Sequence, residues 1–229
     1  MQQEEKRTLF QTIRQKICLR SALYSYPRYQ PVLIRGRFVG GNERNCFDRW
    51  EVIRKEIETS GGSSVLDIGS AEGFYVIQAA RECSCTAIGV EMDARRFAVA
   101  EDQIIKEKIR NARFIFGAAD TEMIPRLPAS DLVICMSVLH HIMSARGEEY
   151  ARGFMSLLRK RTKKEMIFEM GQSDESELSW AKRLPDMGDR PHEWIESFLK
   201  SCGFSVVEKI AEVDSYKKDK KRALFRLIP

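Results

Sequence analysis

The stretch Asp67-Ile68-Gly69-Ser70-Ala71-Glu72-Gly73 sets a carboxylate and two glycines at D-x-G-x-x-x-G spacing, between the apolar pair Val65-Leu66 and a helical pattern opening at Phe74. Strand, tight loop and helix start follow in a row. Glycines in such a loop let a backbone approach a bound small molecule. The first amides of a helix offer N–H groups to a polar or anionic part of it. Asp67, at the strand end, argues against a site for phosphate alone. The spacing is neither the G-x-G-x-x-G of dinucleotide sites nor the G-x-x-x-x-G-K-[ST] of phosphate-cradling loops. A second carboxylate, Glu91, ends the run Thr86–Glu91, 24 residues after Asp67. Doubly wound folds need an acid at this place to hold ribose hydroxyls. His140 and His141 follow the run Asp131–Leu139, and Glu169 ends another short apolar run. A histidine there is suited to take a proton from a hydroxyl acceptor.

The elements that must carry these groups alternate. The patterning predicts strands over 64–68, 86–91, 112–117, 131–136 and 165–169, with helices at 73–82, 94–109 and 146–160. A long polar loop, 170–191, holds Trp180 and exceeds the usual connection length, so a lid is a natural use for it. A helix over 192–202 and strands over 204–210 and 222–228, joined by a lysine-rich turn, finish the chain. Alternating βα units imply an α/β, doubly wound, mostly parallel sheet with right-handed crossovers, ending in an antiparallel hairpin. Ligands in such sheets sit at the carboxyl ends of the strands, where all of the groups above converge.

These motifs, in this order, resemble the class I S-adenosylmethionine-dependent methyltransferases over residues 50–229. The resemblance implies a Rossmann-like, seven-stranded sheet and S-adenosyl-L-methionine as cofactor. Asp67, Gly69, Ser70 and Gly73 would then hold its methionine part, and Glu91 both ribose hydroxyls. Met92 would flank the adenine, and Asp120 with the Ala119 amide would meet its amino group. Ser137, His140 and His141 would lie beneath the sulfonium, with Glu169 beside the acceptor as a base or substrate contact. No metal is called for: Cys83 and Cys85 form a C-x-C pair with no neighbouring His or Cys to complete a set.

The 229 residues suffice for one α/β domain with a full core, preceded by an extension over residues 1–49. Six scattered cysteines suggest no disulfide framework. With no apolar run of spanning length and a polar, charged start, a cytoplasmic location is expected. The charge is uneven: residues 1–50 hold ten Lys/Arg against four Asp/Glu, and residues 51–229 hold 28 against 29. The extension therefore expects an anionic partner. Leu9, Phe10, Ile13 and Ile17 predict an amphipathic helix within 4–22, packed over the core or, alternatively, lying on a membrane surface. The glycine-rich segment 35–44 reads as a basic loop, and a helix is expected from Phe47 to about Gly61.

For the acceptor, no Asn/Asp-Pro-Pro-aromatic or Pro-Cys stretch follows the fourth strand of the core pattern, which weighs against amino methylation and covalent cytosine chemistry. Arg44-Asn45-Cys46-x-x-Arg49, Ala71-Glu72-Gly73-Phe74, Val138-Leu139-His140-His141-Ile142 and Glu169 resemble the methyltransferase part of the O-antigen chain-terminating kinase–methyltransferases. That resemblance implies O-methylation of a glycan, sugar phosphate or related small anionic acceptor. Arg37, Arg44 and Arg49 suit such an acceptor, since guanidinium groups fork onto phosphate oxygens. Two alternatives stay open: an RNA methyltransferase, with Tyr24, Tyr26 and Tyr29 interleaved among basic residues, and a non-catalytic binding subunit that keeps the fold.

Overall fold

The computed structural model describes residues 28–41, 46–215 and 220–229. The expected amphipathic helix within 4–22, and Arg44, lie outside the described residues. Seven strands form one sheet: β3 (Ser64–Ile68), β4 (Thr86–Glu91), β5 (Ala112–Phe116), β6 (Ser130–Met136), β7 (Thr162–Glu169), β8 (Val206–Asp214) and β9 (Lys221–Ile228). Their spatial order is β5-β4-β3-β6-β7-β9-β8. The first five run parallel, and β9 pairs antiparallel with both β7 and β8. Strand order reverses at β3, so the crevice between β3 and its neighbours opens at the carboxyl edge that carries the glycine loop.

Among the described residues, six helices cover the faces: α1 (Cys46–Ser60), α2 (Phe74–Glu82), α3 (Ala94–Lys106), α4 (Leu139–Arg146), α5 (Glu148–Arg159) and α6 (Pro191–Ser201). Burial on both faces explains why Leu132-Val133-Ile134-Cys135 of β6 reads as a continuous apolar run rather than an alternation. One core layer joins Leu66, Val133 and Phe168 to Phe154 and Leu158 of α5 and Phe198 of α6. The other joins Val65, Ile134 and Ile167 to Trp50 and Ile53 of α1 and Phe74 and Ile77 of α2. Spacings such as Ala151, Phe154, Met155 and Leu158 put the buried side chains of a helix on one stripe.

Two local expectations are corrected. After the fourth core strand the chain turns directly into a helix, and His140 and His141 sit in the first turn of α4. Gly147, with φ +84°, separates α4 from α5, so the helix expected over 146–160 runs Glu148–Arg159. Part of the expected basic loop at 35–44 is a strand. β1 (Val32–Ile34) and β2 (Arg37–Val39) form a two-stranded hairpin around Arg35-Gly36. Val32 and Leu33 are buried, and the Leu33 amide donates to Gln103 Oε1 of α3 at 2.6 Å. The Arg35 and Gly36 amides donate to the Glu107 carboxylate, just past the end of α3.

Candidate active site

The glycine loop is shaped by its own amides. Gly69 and Ser70 N–H groups both donate to the Val90 carbonyl of β4, and Ala71 N–H donates to Glu91 Oε2 at 2.8 Å. Gly69 has φ +72°, and a Cβ there would stand 2.5 Å from Val138 Cγ2. The loop is thereby stitched to the end of β4 and pressed against the start of α4. Glu91 is buried, and its other oxygen accepts from the Asp93 amide at 2.7 Å.

Among the described residues, two buried polar atoms at this bend have no hydrogen-bond partner: Asp67 Oδ2 and Ser70 Oγ. Buried polar groups are otherwise almost always paired. Burial, and to a smaller extent the nearby Glu91 charge, push the Asp67 carboxyl up to about 8. An ammonium or other polar group brought to this bend would satisfy both atoms. Met92, next to Glu91, is 68 % exposed at the same edge, a free apolar face for a ring. Asp120 Oδ1 accepts from the Glu122 and Met123 amides and so caps the turn after β5. With Ala118 and Met123, Asp120 borders an open depression of about 430 Å³. Ala119 lies between them, half-buried against the core.

One expectation changes at the helix start. The first amide of α2, on Phe74, already donates to Gln30 Oε1 at 3.0 Å. The Glu72 carboxylate in turn accepts the Tyr29 and Gln30 amides at 3.0 and 3.1 Å. The segment entering the hairpin thus straps over the glycine loop. Sequence reasoning missed Gln30 and Glu72, because an internal glutamine or glutamate carries no capping signature of its own.

On the far side of β3, the ends of β6 and β7 hold a buried ionic chain. Ser137 adopts φ +58°, a sparsely populated conformation for a residue with a side chain. Its hydroxyl donates to Glu169 Oε1 at 2.8 Å, and its amide to the Glu169 carbonyl. Glu169 is 0 % exposed. Its Oε2 accepts from Arg49 Nε at 2.6 Å and its Oε1 from Arg222 Nη1 at 3.1 Å. Glu169 therefore faces two guanidinium groups and a hydroxyl, the surroundings of a fixed anion rather than of a base facing an acceptor. Arg49 is also fully buried, with Nη2 donating to the Asp214 carbonyl. It braces the floor and presents no fork at the surface. Arg37, exposed on β2, belongs to a hairpin anchored at Glu107. Its neighbour Phe38 packs on Phe74 at 4.8 Å between ring centroids, and Gln103 Nε2, beside the hairpin, donates to the Glu72 carbonyl of the glycine loop. Arg49 is thus engaged within the protein, whereas Arg37 stays exposed on the hairpin.

His140 is buried, and its Nδ1 accepts the Gly171 amide at 3.0 Å. That bond requires a lone pair on Nδ1, so the proton of the neutral ring sits on Nε2. The ring lies 4.2 Å from those of His141 and Trp180, centroid to centroid. Gly171 is needed for this approach, since a Cβ there would fall 2.2 Å from the Trp180 ring. His141 is exposed on α4, edge-on to Trp180 at 6.0 Å. Sequence reasoning also missed Arg222 and Glu175. A basic residue opening the apolar stretch Ala223-Leu224-Phe225 was the available signal for Arg222, and it was hidden by the lysine-rich turn before it.

Comparison with known proteins agrees with this fold. A family profile described as a methyltransferase domain matches residues 65–161. The O-antigen chain terminator bifunctional methyltransferase/kinase WbdD of Escherichia coli is 27 % identical over 195 residues, covering 82 % of this chain and 26 % of that protein. The chain thus spans about a quarter of the length of the relatives it matches. Among solved structures, a 2.2 Å crystal structure of WbdD superposes with a TM-score of 0.70 at 23 % identity, covering 90 % of this chain and 43 % of that one. The N-terminal domain of EvdMO1 with SAH bound superposes with a TM-score of 0.66 at 17 % identity, covering 94 % and 96 %.

Proposed function

We propose that this chain, an S-adenosyl-L-methionine-dependent methyltransferase of the class I fold, transfers methyl to an oxygen that is already ionised, on a glycan, a sugar phosphate or a related small anionic acceptor. The observation that carries the reading is the state of the two buried candidate bases. His140 presents Nε2–H, a donor, and Glu169 is engaged by Arg49, Arg222 and Ser137. An alcohol acceptor needs a group to take its proton; a phosphate oxygen does not. The O-antigen chain terminator named among the relatives makes a glycan-linked acceptor the first to test.

Asp67 and Ser70 would hold the polar methionine end of the cofactor, Glu91 its ribose, and Met92 with the Ala119-Asp120 turn its base. The bound cofactor supplies an electrophilic methyl on a positively charged sulfur. The acceptor oxygen would give a lone pair to that methyl carbon, and the sulfur would leave with the electron pair of the broken carbon–sulfur bond. His140 Nε2–H would donate to a second oxygen of the acceptor and hold its attacking oxygen in line. Trp180 and His141 would close one wall and keep water out. Alignment of this kind can supply about 7–11 kcal/mol of barrier lowering.

The test incubates the protein with methyl-labelled S-adenosyl-L-methionine and fractionated cell extract. Label is expected in an anionic glycan or sugar-phosphate fraction, and prior phosphatase treatment of that fraction should remove the acceptor. At saturating cofactor, turnover should stay flat from about pH 7 to 9, where a phosphate monoester with a second pKa near 6 is fully ionised. Label entering nuclease-sensitive material, or a rate rising roughly tenfold per pH unit, would overturn the reading.

A further inference from the structure

We infer that Arg222, with Glu175, is a positioning residue of the acceptor side: the pair holds Gly171 and Trp180 where they fix the proton of His140 on Nε2. The inference rests on the acceptor reading above only for its consequence; its geometry stands alone. Arg222 is 3 % exposed and lies on β9, the antiparallel strand inserted between β7 and β8. Each of its three guanidinium nitrogens is engaged. Nε and Nη2 donate to Glu175 Oε1 and Oε2 at 2.9 and 2.8 Å, the parallel fork that only arginine makes. Nη1 donates to Ser137 Oγ at 3.2 Å and Glu169 Oε1 at 3.1 Å.

Through Glu175 this fork reaches the long loop after β7. Glu175 Oε1 also accepts the Gln172 amide at 2.9 Å, and the Glu175 amide returns to the Gln172 carbonyl. Ser215 Oγ donates to Glu175 Oε2. Gln172 follows Gly171 directly, and the Gly171 amide is the one that donates to His140 Nδ1. The same guanidinium lies 5.6 Å from the Trp180 ring, whose centroid is 4.2 Å from that of His140. One buried side chain therefore ties the end of β6, the end of β7 and the loop to a single geometry. A buried ionic chain of this kind returns little net stability, since desolvation offsets most of its attraction. What it fixes is register: without the fork, the 171–181 segment loses its buried charged anchor on the sheet and keeps the exposed Asp174–Lys220 pair at its edge, and His140 loses the donor that selects its tautomer.

Glu175→Gln tests this, since it keeps size while removing the charge and turning one of the two acceptor atoms of the fork into a donor, and Arg222→Lys keeps the charge but cannot fork. The readout is the two-bond ¹H–¹⁵N spectrum of the histidine rings, simple in a chain with three histidines, together with calorimetric affinity for S-adenosyl-L-homocysteine. In the wild type, His140 should show one Nε2–H tautomer. In each variant its two nitrogen shifts should move toward each other, while affinity for the homocysteine product changes by less than roughly twofold. A Glu175→Gln protein that retains the single tautomer overturns the inference. So does one that loses product affinity about tenfold, or fails to fold, because either assigns the pair to the cofactor site or to folding. Failure of the acceptor reading alone would show differently: an unchanged tautomer response, with label in the wrong class of acceptor.

Discussion

At the scale of single residues, the site is organised around an unfavourable group. Asp67 is held protonated up to about pH 8 by burial and by Glu91, whereas an aspartate in the unfolded chain ionises near 4. Between these values the native state binds the extra proton, so this group's contribution to stability is complete below about pH 4 and is lost as pH rises to about 8. Asp67→Asn should remove that slope and raise the melting temperature of the cofactor-free protein at pH 8, by about 2–4 °C for each kcal/mol relieved. It should also weaken S-adenosyl-L-methionine binding at least about tenfold, since the cationic end of the cofactor loses its carboxylate. Wild-type binding at pH 7 should release a proton, seen as a dependence of the calorimetric heat on the ionisation enthalpy of the buffer. A variant that binds normally would remove Asp67 from the cofactor site. Which residues were legible follows from the same physics. Asp67, Gly69, Gly73 and Glu91 sit at spacings imposed by a backbone bend and a strand end, and such spacings survive in a one-dimensional string. Arg49 and Glu169 were legible as interesting but not as to role, because their pairing joins positions 120 residues apart.

At the scale of elements, the parallel core could be read because each strand is a short apolar run between a helix end and a glycine or acidic turn. The β1–β2 hairpin could not. Its two strands have three residues each, and their burial comes from α3 beneath β1 and from Phe47 and Phe74 around Phe38, not from an alternation of their own. The strap that leads into it is anchored through a carboxylate rather than through an apolar face. Glu72→Ala should free the Tyr29 and Gln30 amides, and with Gln30 the cap on Phe74. Hydrogen bonds to a charged group contribute about 1.5–3 kcal/mol each. The expected loss is therefore about 2–4 kcal/mol in denaturant unfolding, less than two full bonds because water reaches the freed segment. Hydrogen exchange provides the local readout: protection at Tyr29, Gln30 and Phe74 should collapse together while β3 and β6 keep theirs. Protection lost at Phe74 alone would uncouple the strap from the helix cap.

At the scale of the whole molecule, the position of the strap alters where the basic extension can be divided from the catalytic fold. The charge count places the excess of Lys/Arg in residues 1–50, and a cut at residue 49 follows from the sequence alone. The structure places four contributions to the core before that point. Leu33 is buried against the Gln103 region, Gln30 caps α2, Cys46 opens α1 inside the core, and Arg49 neutralises Glu169. Removing residues 1–49 leaves Glu169 with one guanidinium fewer in a fully buried position, and breaking a buried ion pair by deleting one partner costs about 3–5 kcal/mol. A protein beginning at residue 28 instead keeps all the described contacts. The two truncations should therefore part company. The chain starting at residue 28 should unfold cooperatively near the full-length midpoint and bind S-adenosyl-L-homocysteine within about twofold of the parent. The chain starting at residue 50 should lose cooperative unfolding or most of its stability, given that whole domains hold only about 5–15 kcal/mol in reserve. If the shorter protein melts and binds like the longer one, the strap and Arg49 are ornaments on a core that needs neither. If the chain starting at residue 28 binds cofactor yet transfers methyl poorly to the natural acceptor, the basic residues before it belong to acceptor capture, where their excess charge would act on encounter.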